Sequence, residues 1–167
     1  MKKVLVATLA AAMLLPTLAM AQGTISFGTA TPNQRILLAD GVTGAGAGVA
    51  VELWWSPDNI LPYTLIANAV VAVNGFVAPA VLATTGGATP AGSTAWFYVY
   101  ATDGAFYGQT SPFQNATGNP GGEPPSPPAT LDGWTSPVVM NTVIPEPTTM
   151  ALAGLGVAAL LAFRRRS

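Results

Sequence analysis

The stretch VAVELWWS, residues 49–56, decides the fold class. Every second residue is large and apolar, and the residues between them include the charged Glu52. A period of two is typical of a β-strand with one buried face and one solvent face. The sequence therefore predicts a strand here. Its two faces are Val49, Val51, Leu53 and Trp55 on the inner side, and Ala50, Glu52 and Trp54 on the outer side.

The stretch TAWFYVYAT, residues 94–102, shows the same alternation, but both of its sides are apolar or aromatic. Trp96, Tyr98 and Tyr100 share one side, and Phe97, Val99 and Ala101 share the other. A strand that is apolar on both faces is typical of the middle of a sheet. We therefore expect residues 94–102 to form a central strand.

Other short runs of this kind are separated by Gly, Pro, Asn and Asp, and none has a helical period. Asn74-Gly75 is the strongest hairpin signal in the chain. About eight short strands predict an all-β fold, an antiparallel β-sandwich that is Ig-like or jelly-roll-like, over residues 22–144. The further strands are expected within residues 23–28, 35–39, 63–67, 69–73, 76–82, 105–113 and 136–143.

The first 21 residues have the pattern of a secretory signal peptide. Two lysines precede an apolar run over residues 4–15, which is too short to span a bilayer. Ala19 and Ala21 give the small-x-small pattern that signal peptidase cleaves. We expect a signal helix over residues 1–21 that is removed by cleavage after Ala21.

The charge of residues 22–144 excludes several classes of partner. Arg35 is the one basic residue there, against six acids, which gives a net charge of −5. The acids are Asp40, Glu52, Asp58, Asp103, Glu123 and Asp132. Nucleic-acid binding needs several basic side chains to neutralise phosphates, so no nucleic-acid partner is expected. Docking on an anionic lipid surface is disfavoured for the same reason.

The residue types that support nucleophilic catalysis are missing. The chain has no His and no Cys, and residues 22–144 contain no Lys, so the usual nucleophile–base pairs cannot form. A carboxylate pair, Glu52 with Glu123, is the remaining alternative for hydrolysis. We expect a protein that is not an enzyme and has no catalytic residues.

Three acids precede glycine, at Asp40, Asp103 and Asp132, and invite a calcium interpretation. Asp-Gly is also an ordinary turn dipeptide, and the pattern of a calcium-binding loop is missing. We therefore expect turns, with no metal and no other cofactor.

Trp54 is the sharpest candidate for a ligand contact, because the alternation places it beside Glu52 on a solvent face. Tryptophan and tyrosine rings can stack on sugars, but they also dominate the packing of cores. Both interpretations stay open for the aromatic residues at this stage.

The chain ends with VIPEPTTMALAGLGVAALLAFRRRS, residues 143–167. The uncharged run from Met150 to Phe163 would form a helix about 21 Å long, somewhat short of a bilayer core of roughly 30 Å. A transmembrane helix is favoured over a buried or amphipathic one because the run is apolar all round. Basic residues stay on the cytoplasmic side, which would place Arg164, Arg165 and Arg166 inside the cell.

Pro145-Glu146-Pro147, the short apolar span and the terminal arginines together resemble the PEP-CTERM sorting signal of Gram-negative bacteria. The resemblance implies that Pro145, Glu146 and Pro147 are the sorting motif within residues 145–167. It also implies processing by an exosortase, so that membrane contact is transient, and delivery to the cell surface or matrix. Bacteria with this system often make exopolysaccharide.

Two functions are therefore expected for the exported domain. The first is a non-enzymatic cell-surface or extracellular-matrix protein. The alternative is a carbohydrate-binding module for exopolysaccharide, with Trp54 in the binding surface.

Overall fold

The computed structural model describes residues 22–29 and 31–142, and this part of the chain is all-β, without a helix. The predicted signal helix over residues 1–21 and the predicted transmembrane helix from Met150 to Phe163 lie outside the described residues. The strands are β1 (Thr24–Phe27), β2 (Ile36–Leu37), β3 (Ala50–Ser56), β4 (Thr64–Val73), β5 (Phe76–Val77), β6 (Val81–Thr84), β7 (Thr94–Thr102), β8 (Phe106–Gln109), β9 (Phe113–Ala116), β10 (Ala129–Thr130), β11 (Val138–Val139) and β12 (Asn141–Thr142).

The largest sheet is built around the two stretches with the clearest alternation, β3 and β7. Its strand order is β12-β8-β7-β3-β4-β5, and β9 pairs with the part of β7 that β8 leaves free. Strand β7 has neighbours on both sides, which confirms that it is central. The predicted inner residues of β3 are buried, and its predicted outer residues are half-buried or exposed. In β7, where the sequence did not say which side faces the core, Phe97, Val99 and Ala101 are buried and Trp96, Tyr98 and Tyr100 are half-buried.

A second layer covers the inner face of this large sheet. It contains a three-stranded sheet in the order β10-β1-β6 and a two-stranded sheet formed by β2 and β11. One hydrophobic cluster joins the layers, with Ile25 and Phe27 of β1 packed among Val51, Leu53 and Phe97 of the large sheet. The arrangement is that of a β-sandwich, because two sheet layers enclose one core.

The pairing differs from a wholly antiparallel sandwich in two places. Strand β1 pairs with β10 in parallel, and β2 pairs with β11 in parallel. Strands β10 and β11 have two residues each and come from the C-terminal part of the domain. They lie beside β1 and β2, which form near the N-terminal end of the domain. Parallel strands need a long connection between them, so a local sequence pattern does not predict parallel pairing.

Several predicted strands have different bounds in the structure. The strands predicted at 63–67 and 69–73 form one strand, β4, which begins at Thr64 and has a register shift opposite Leu53 and Trp54. The run 76–82 divides at Pro79 into β5 and β6, since proline cannot donate a ladder hydrogen bond. The run 105–113 also divides, into β8 and the start of β9, which pair with different parts of β7. The run 136–143 divides into β11, which pairs with β2, and β12, which pairs with β8.

The Asn74-Gly75 hairpin joins β4 to β5, as predicted. Both residues have positive φ angles, 49° and 80°, which is the requirement of a two-residue type I′ turn. The Arg35 guanidinium donates to the Asn74 backbone oxygen at 2.7 Å and lies 5.0 Å from the Phe76 ring centroid. A Cβ atom at Gly75 would lie 2.3 Å from the backbone oxygen of Ile36. Glycine is therefore required at this turn.

We expect Gly75→Ala to lower the free energy of unfolding by more than about 1 kcal/mol, because the new Cβ meets both a strained φ and the Ile36 carbonyl. Urea unfolding of the processed protein measures this change. Gly46→Ala is the matched control, because a Cβ at Gly46 would have no atom within 4 Å and the φ of Gly46 is not positive. Equal losses of stability in the two variants would contradict the assigned role of Gly75.

Candidate functional site

An aromatic cluster lies on the outer face of the large sheet, where the second layer does not cover it. Trp54 of β3 and Tyr98 of β7 are direct cross-strand partners. Their ring centroids are 5.9 Å apart, with an interplanar angle of 5°. Tyr63, just before β4, meets Tyr98 edge-on at 5.0 Å. Such stacked and edge-on pairs stabilise the rings in fixed positions.

Glu52 holds the Trp54 indole in place. The two residues are separated by one position on β3, so their side chains leave the same face of the sheet. The Trp54 Nε1–H donates to Glu52 Oε2 at 2.8 Å. The carboxylate keeps further acceptor capacity, since an ionised carboxylate has about four lone-pair sites. Glu52 and Trp54 therefore form a preorganised pair of a polar acceptor and an aromatic ring.

The aromatic surface extends along β7 and onto β8. Tyr100 lies opposite Glu52, and its ring centroid is 6.5 Å from that of Tyr107. Tyr107 is 45% exposed, and the other rings of this surface are half-buried. We call this surface the outer aromatic face, and it consists of Trp54, Tyr63, Trp96, Tyr98, Tyr100 and Tyr107.

Two phenols of the outer aromatic face have raised pKa values. Partial burial raises the pKa of Tyr98, and the negative charge of Glu52 raises it further. Partial burial also raises the pKa of Tyr63, with a contribution from Asp58. Both hydroxyl groups therefore keep their protons at neutral pH, and the Tyr63 hydroxyl donates its proton to Asn59 Oδ1.

The other two tryptophans belong to the interior. Trp55 is 7% exposed and donates from Nε1 to Thr89 Oγ1 at 3.0 Å. Trp134 is 1% exposed and donates from Nε1 to the Ser136 backbone oxygen at 2.7 Å. The core-packing interpretation is therefore confirmed for two of the four tryptophans. Trp55 and Trp134 pack in the core, while Trp54 and Trp96 lie on the outer aromatic face.

Two of the three aspartates before glycine accept hydrogen bonds from backbone N–H groups of their turns, and the third, Asp132, accepts from the Thr130 hydroxyl at 2.8 Å. Asp40 Oδ1 accepts from the backbone N–H groups of Val42 and Thr43, at 2.9 and 2.8 Å. The hydrogen bond from the Thr43 hydroxyl is the main cause that lowers the Asp40 pKa. Asp103 Oδ1 likewise accepts from the backbone N–H of Phe106 at 2.8 Å. Over residues 22–29 and 31–142, no three potential metal ligands of the His, Cys, Asp or Glu type cluster together.

Glu52 and Glu123, the alternative hydrolytic pair, lie on separate elements. Glu52 is on the outer face of the large sheet and bonds Trp54. Glu123 is exposed in the loop between β9 and β10, and that loop closes on itself through the Ser126 N–H to Asn119 oxygen bond at 2.9 Å.

A cleft of about 470 Å³ lies along residues 115–118 and 126–130. Asn115 closes one side of it and is 6% exposed. Its Nδ2 donates to the backbone oxygens of Ala116 and Thr130, and its Oδ1 accepts from the Gly133 N–H at 2.8 Å. Asn115 thus ties β9 to the segment around β10. Sequence reasoning missed this role because the bonds to Thr130 and Gly133 depend on how the loop between β9 and β10 folds.

The comparisons with known proteins locate the sorting signal. A family model described as the PEP-CTERM protein-sorting motif matches residues 143–166. No curated protein and no solved structure matches the chain. The chain therefore carries a PEP-CTERM sorting motif, as the resemblance predicted. The motif implies processing by an exosortase, export and a cell-surface destination.

The individual positions of the two terminal segments stay predictions. The signal-cleavage residues Ala19 and Ala21 lie outside the described residues. The sorting motif, the span from Met150 to Phe163 and the arginines at 164–166 also lie outside them. In the described part of the chain, no helix is long and apolar enough to cross a membrane.

We expect Glu52→Gln to lower the pKa of Tyr98, because the variant removes the negative charge that disfavours the phenolate. Glutamine retains an oxygen acceptor for Trp54 Nε1, so the cluster keeps its geometry. Carbon-13 NMR of labelled tyrosine measures the titration. Asp132→Asn, which removes a charge in the loop before Trp134, is the control. An unchanged Tyr98 pKa in Glu52→Gln would contradict the described contact.

Proposed function

We propose that this chain is a non-enzymatic cell-surface or extracellular-matrix protein of a Gram-negative bacterium that makes exopolysaccharide. The observation that carries the proposal is the PEP-CTERM motif at residues 143–166, directly after the last strand of the β-sandwich. A folded domain followed immediately by a sorting signal is the arrangement expected of a protein that is sorted to the cell surface. After processing, the folded domain is the part that stays there.

In this proposal the two ends of the chain act in sequence. Signal peptidase removes residues 1–21 after export begins. The apolar span from Met150 to Phe163 then holds the chain in the inner membrane, with Arg164, Arg165 and Arg166 on the cytoplasmic side. Exosortase recognises Pro145, Glu146 and Pro147 and releases the domain, so membrane attachment is temporary.

The proposal of a non-enzymatic role is supported by the chemistry of the described side chains. No His or Cys is present, and residues 22–144 contain no Lys. Asp40 and Asp103 serve their own turns, and Glu52 accepts from an indole of its own strand. These groups stabilise local geometry, which is a structural use of carboxylates.

Carbohydrate binding is a second candidate function, and the outer aromatic face favours it. Trp54 is held by Glu52 and Tyr98, so its ring loses little freedom when a ligand stacks on it. Glu52 and the tyrosine hydroxyls offer polar groups beside the apolar rings. An apolar ring surface with nearby hydrogen-bonding groups matches a sugar, whose faces are apolar and whose edges carry hydroxyls. Exopolysaccharide would be the ligand.

The delivery proposal predicts that replacing Pro145, Glu146 and Pro147 together by alanine abolishes surface display. The sorting enzyme would lose its recognition element, and the chain would stay in the inner membrane. Antibody labelling of intact native cells measures display. Replacing Thr148 and Thr149 by alanine is the matched control and should leave labelling unchanged. Equal labelling of the triple-alanine variant and the Thr148/Thr149 control would contradict the delivery proposal.

The carbohydrate proposal predicts that Trp54→Ala weakens binding to exopolysaccharide by about tenfold or more, because removal of a central aromatic contact costs at least about 1.4 kcal/mol. Affinity electrophoresis of the processed protein in gels that contain exopolysaccharide purified from the native cells measures the change. Leu82→Ala is the control, since Leu82 is 63% exposed on β6 of the other layer. Absence of retardation of the unaltered protein would reject carbohydrate binding while leaving delivery intact.

A further inference from the structure

The large sheet has an open edge along β4. Strand β3 pairs with β4 on one side, from Ala50↔Val70 to Trp55↔Thr64. On the other side β5 pairs only with Val71 and Val73. Residues 64–70 of β4 therefore have no neighbouring strand on their outer side within the described part of the chain.

The hydrogen bonds at Val71 fix which backbone groups face this edge. The Val71 N–H donates to the Val49 oxygen at 2.9 Å, and the Val71 oxygen accepts from the Gly48 N–H at 2.9 Å. In an antiparallel ladder, alternate residues direct their N–H and C=O groups to opposite sides. Asn68 and Val70 consequently direct theirs away from β3, where residues 22–29 and 31–142 supply no partner.

The side chains on β4 lack the features that usually protect an edge. Its sequence, TLIANAVVAV, contains no charge and no proline. Natural edge strands are commonly protected by lysine, proline or short length, and β4 has ten residues. Val70 is 51% exposed, and Val73 is 66% exposed. A groove of about 300 Å³, lined by Asn68, Ala69, Val70, Ala78, Pro79 and Val81, runs beside the edge.

We propose that the open edge of β4 pairs antiparallel with β4 of a second copy of this chain, so that two large sheets join across a two-fold axis. The occupant of such an edge must be an extended strand, because only a strand supplies alternating N–H and C=O groups at the right spacing. It must also be uncharged and apolar on alternate residues, and β4 itself has both properties.

The opposite edge of the large sheet offers much less backbone for pairing than β4, because its end strand, β12, has only two residues. Strand β12 pairs with β8. Gly133 approaches β9 so closely that a Cβ there would meet the Gln114 oxygen at 2.0 Å. Pairing of β4 with β4 of a second copy is a self-complementary contact, and such a contact closes after two copies.

Electrostatics also favours β4 as the place where copies meet. Residues 22–144 carry a net charge of −5, so copies repel over most of their surface. None of the six acids lies on β4. Pairing through this strand brings together apolar side chains and backbone dipoles without placing carboxylates opposite one another. This inference is independent of the delivery and carbohydrate proposals.

A single-cysteine scan over residues 64–70 tests the dimer in the intact chain on native cells. The chain contains no cysteine, so one introduced thiol can form a disulfide only between molecules. Two-fold antiparallel pairing places one position next to its own copy, within the short Cβ–Cβ distance that a disulfide requires. We expect dimer formation to peak at one position and fall on both sides. Val42→Cys, in the exposed loop before β3, should give no dimer.

Sedimentation of the processed protein provides the second test. We expect the unaltered protein to dissociate from dimer to monomer on dilution. Val70→Lys should be monomeric, since it places a charge on the paired edge, whereas Val42→Lys should behave as the unaltered protein. The proposal is overturned if no position from 64 to 70 cross-links above the Val42→Cys control. It is equally overturned if Val70→Lys remains dimeric or the unaltered protein is monomeric throughout.

Discussion

The antiparallel pairing of β3 with β7 is the constraint on which the other features depend. Seven residue pairs, from Ala50↔Thr102 to Ser56↔Trp96, fix which side chains of the two strands share a face. This register places Leu53 opposite Val99 in the core and Trp54 opposite Tyr98 outside it. A shift of one residue would exchange the two faces and bury Glu52. The register thus decides both the core and the outer aromatic face.

The same register determines where the edge of the sheet lies. Val99 directs its backbone groups to Thr110, whose N–H donates to the Val99 oxygen at 3.0 Å and whose Oγ1 accepts from the Val99 N–H. The opposite residue, Leu53, therefore directs its own backbone groups to β4. Along β4 the backbone groups alternate between the two sides of the strand, so those of Asn68 and Val70 point away from β3. The outer aromatic face and the open edge of β4 follow from one ladder.

Local patterns predicted a large part of this fold. Residues 94–102 form β7 with the predicted bounds, and residues 49–56 form β3 with one residue fewer. In residues 49–56 the alternation directly indicates which side is buried, whereas in residues 94–102 both sides are apolar or aromatic and the pattern predicts only a central strand. The Asn74-Gly75 turn was predictable for a similar reason, because its positive φ angles are a property of those two residues. The sorting motif was predictable because it is a contiguous pattern.

Features that depend on distant partners were not predictable. The division of residues 76–82 into β5 and β6 reflects two different partners, β4 and β1. The parallel pairs of β10 and β11 depend on how the long loop after β9 returns. Trp134 belongs to no strand, and its burial depends on a turn in which its Nε1 bonds the Ser136 oxygen. The placement of Trp54 outside and Trp55 inside was predicted, but the Glu52 and Tyr98 contacts needed the structure.

The central claim is that the β-sandwich is the cargo of a sorting signal that is removed on delivery. Mass spectrometry of the protein isolated from the surface of native cells with a functional exosortase tests it most directly. We expect a chain that begins at Gln22 and lacks the C-terminal arginines at 164–166. A surface protein whose mass corresponds to a chain that still ends at Ser167 would contradict the claim.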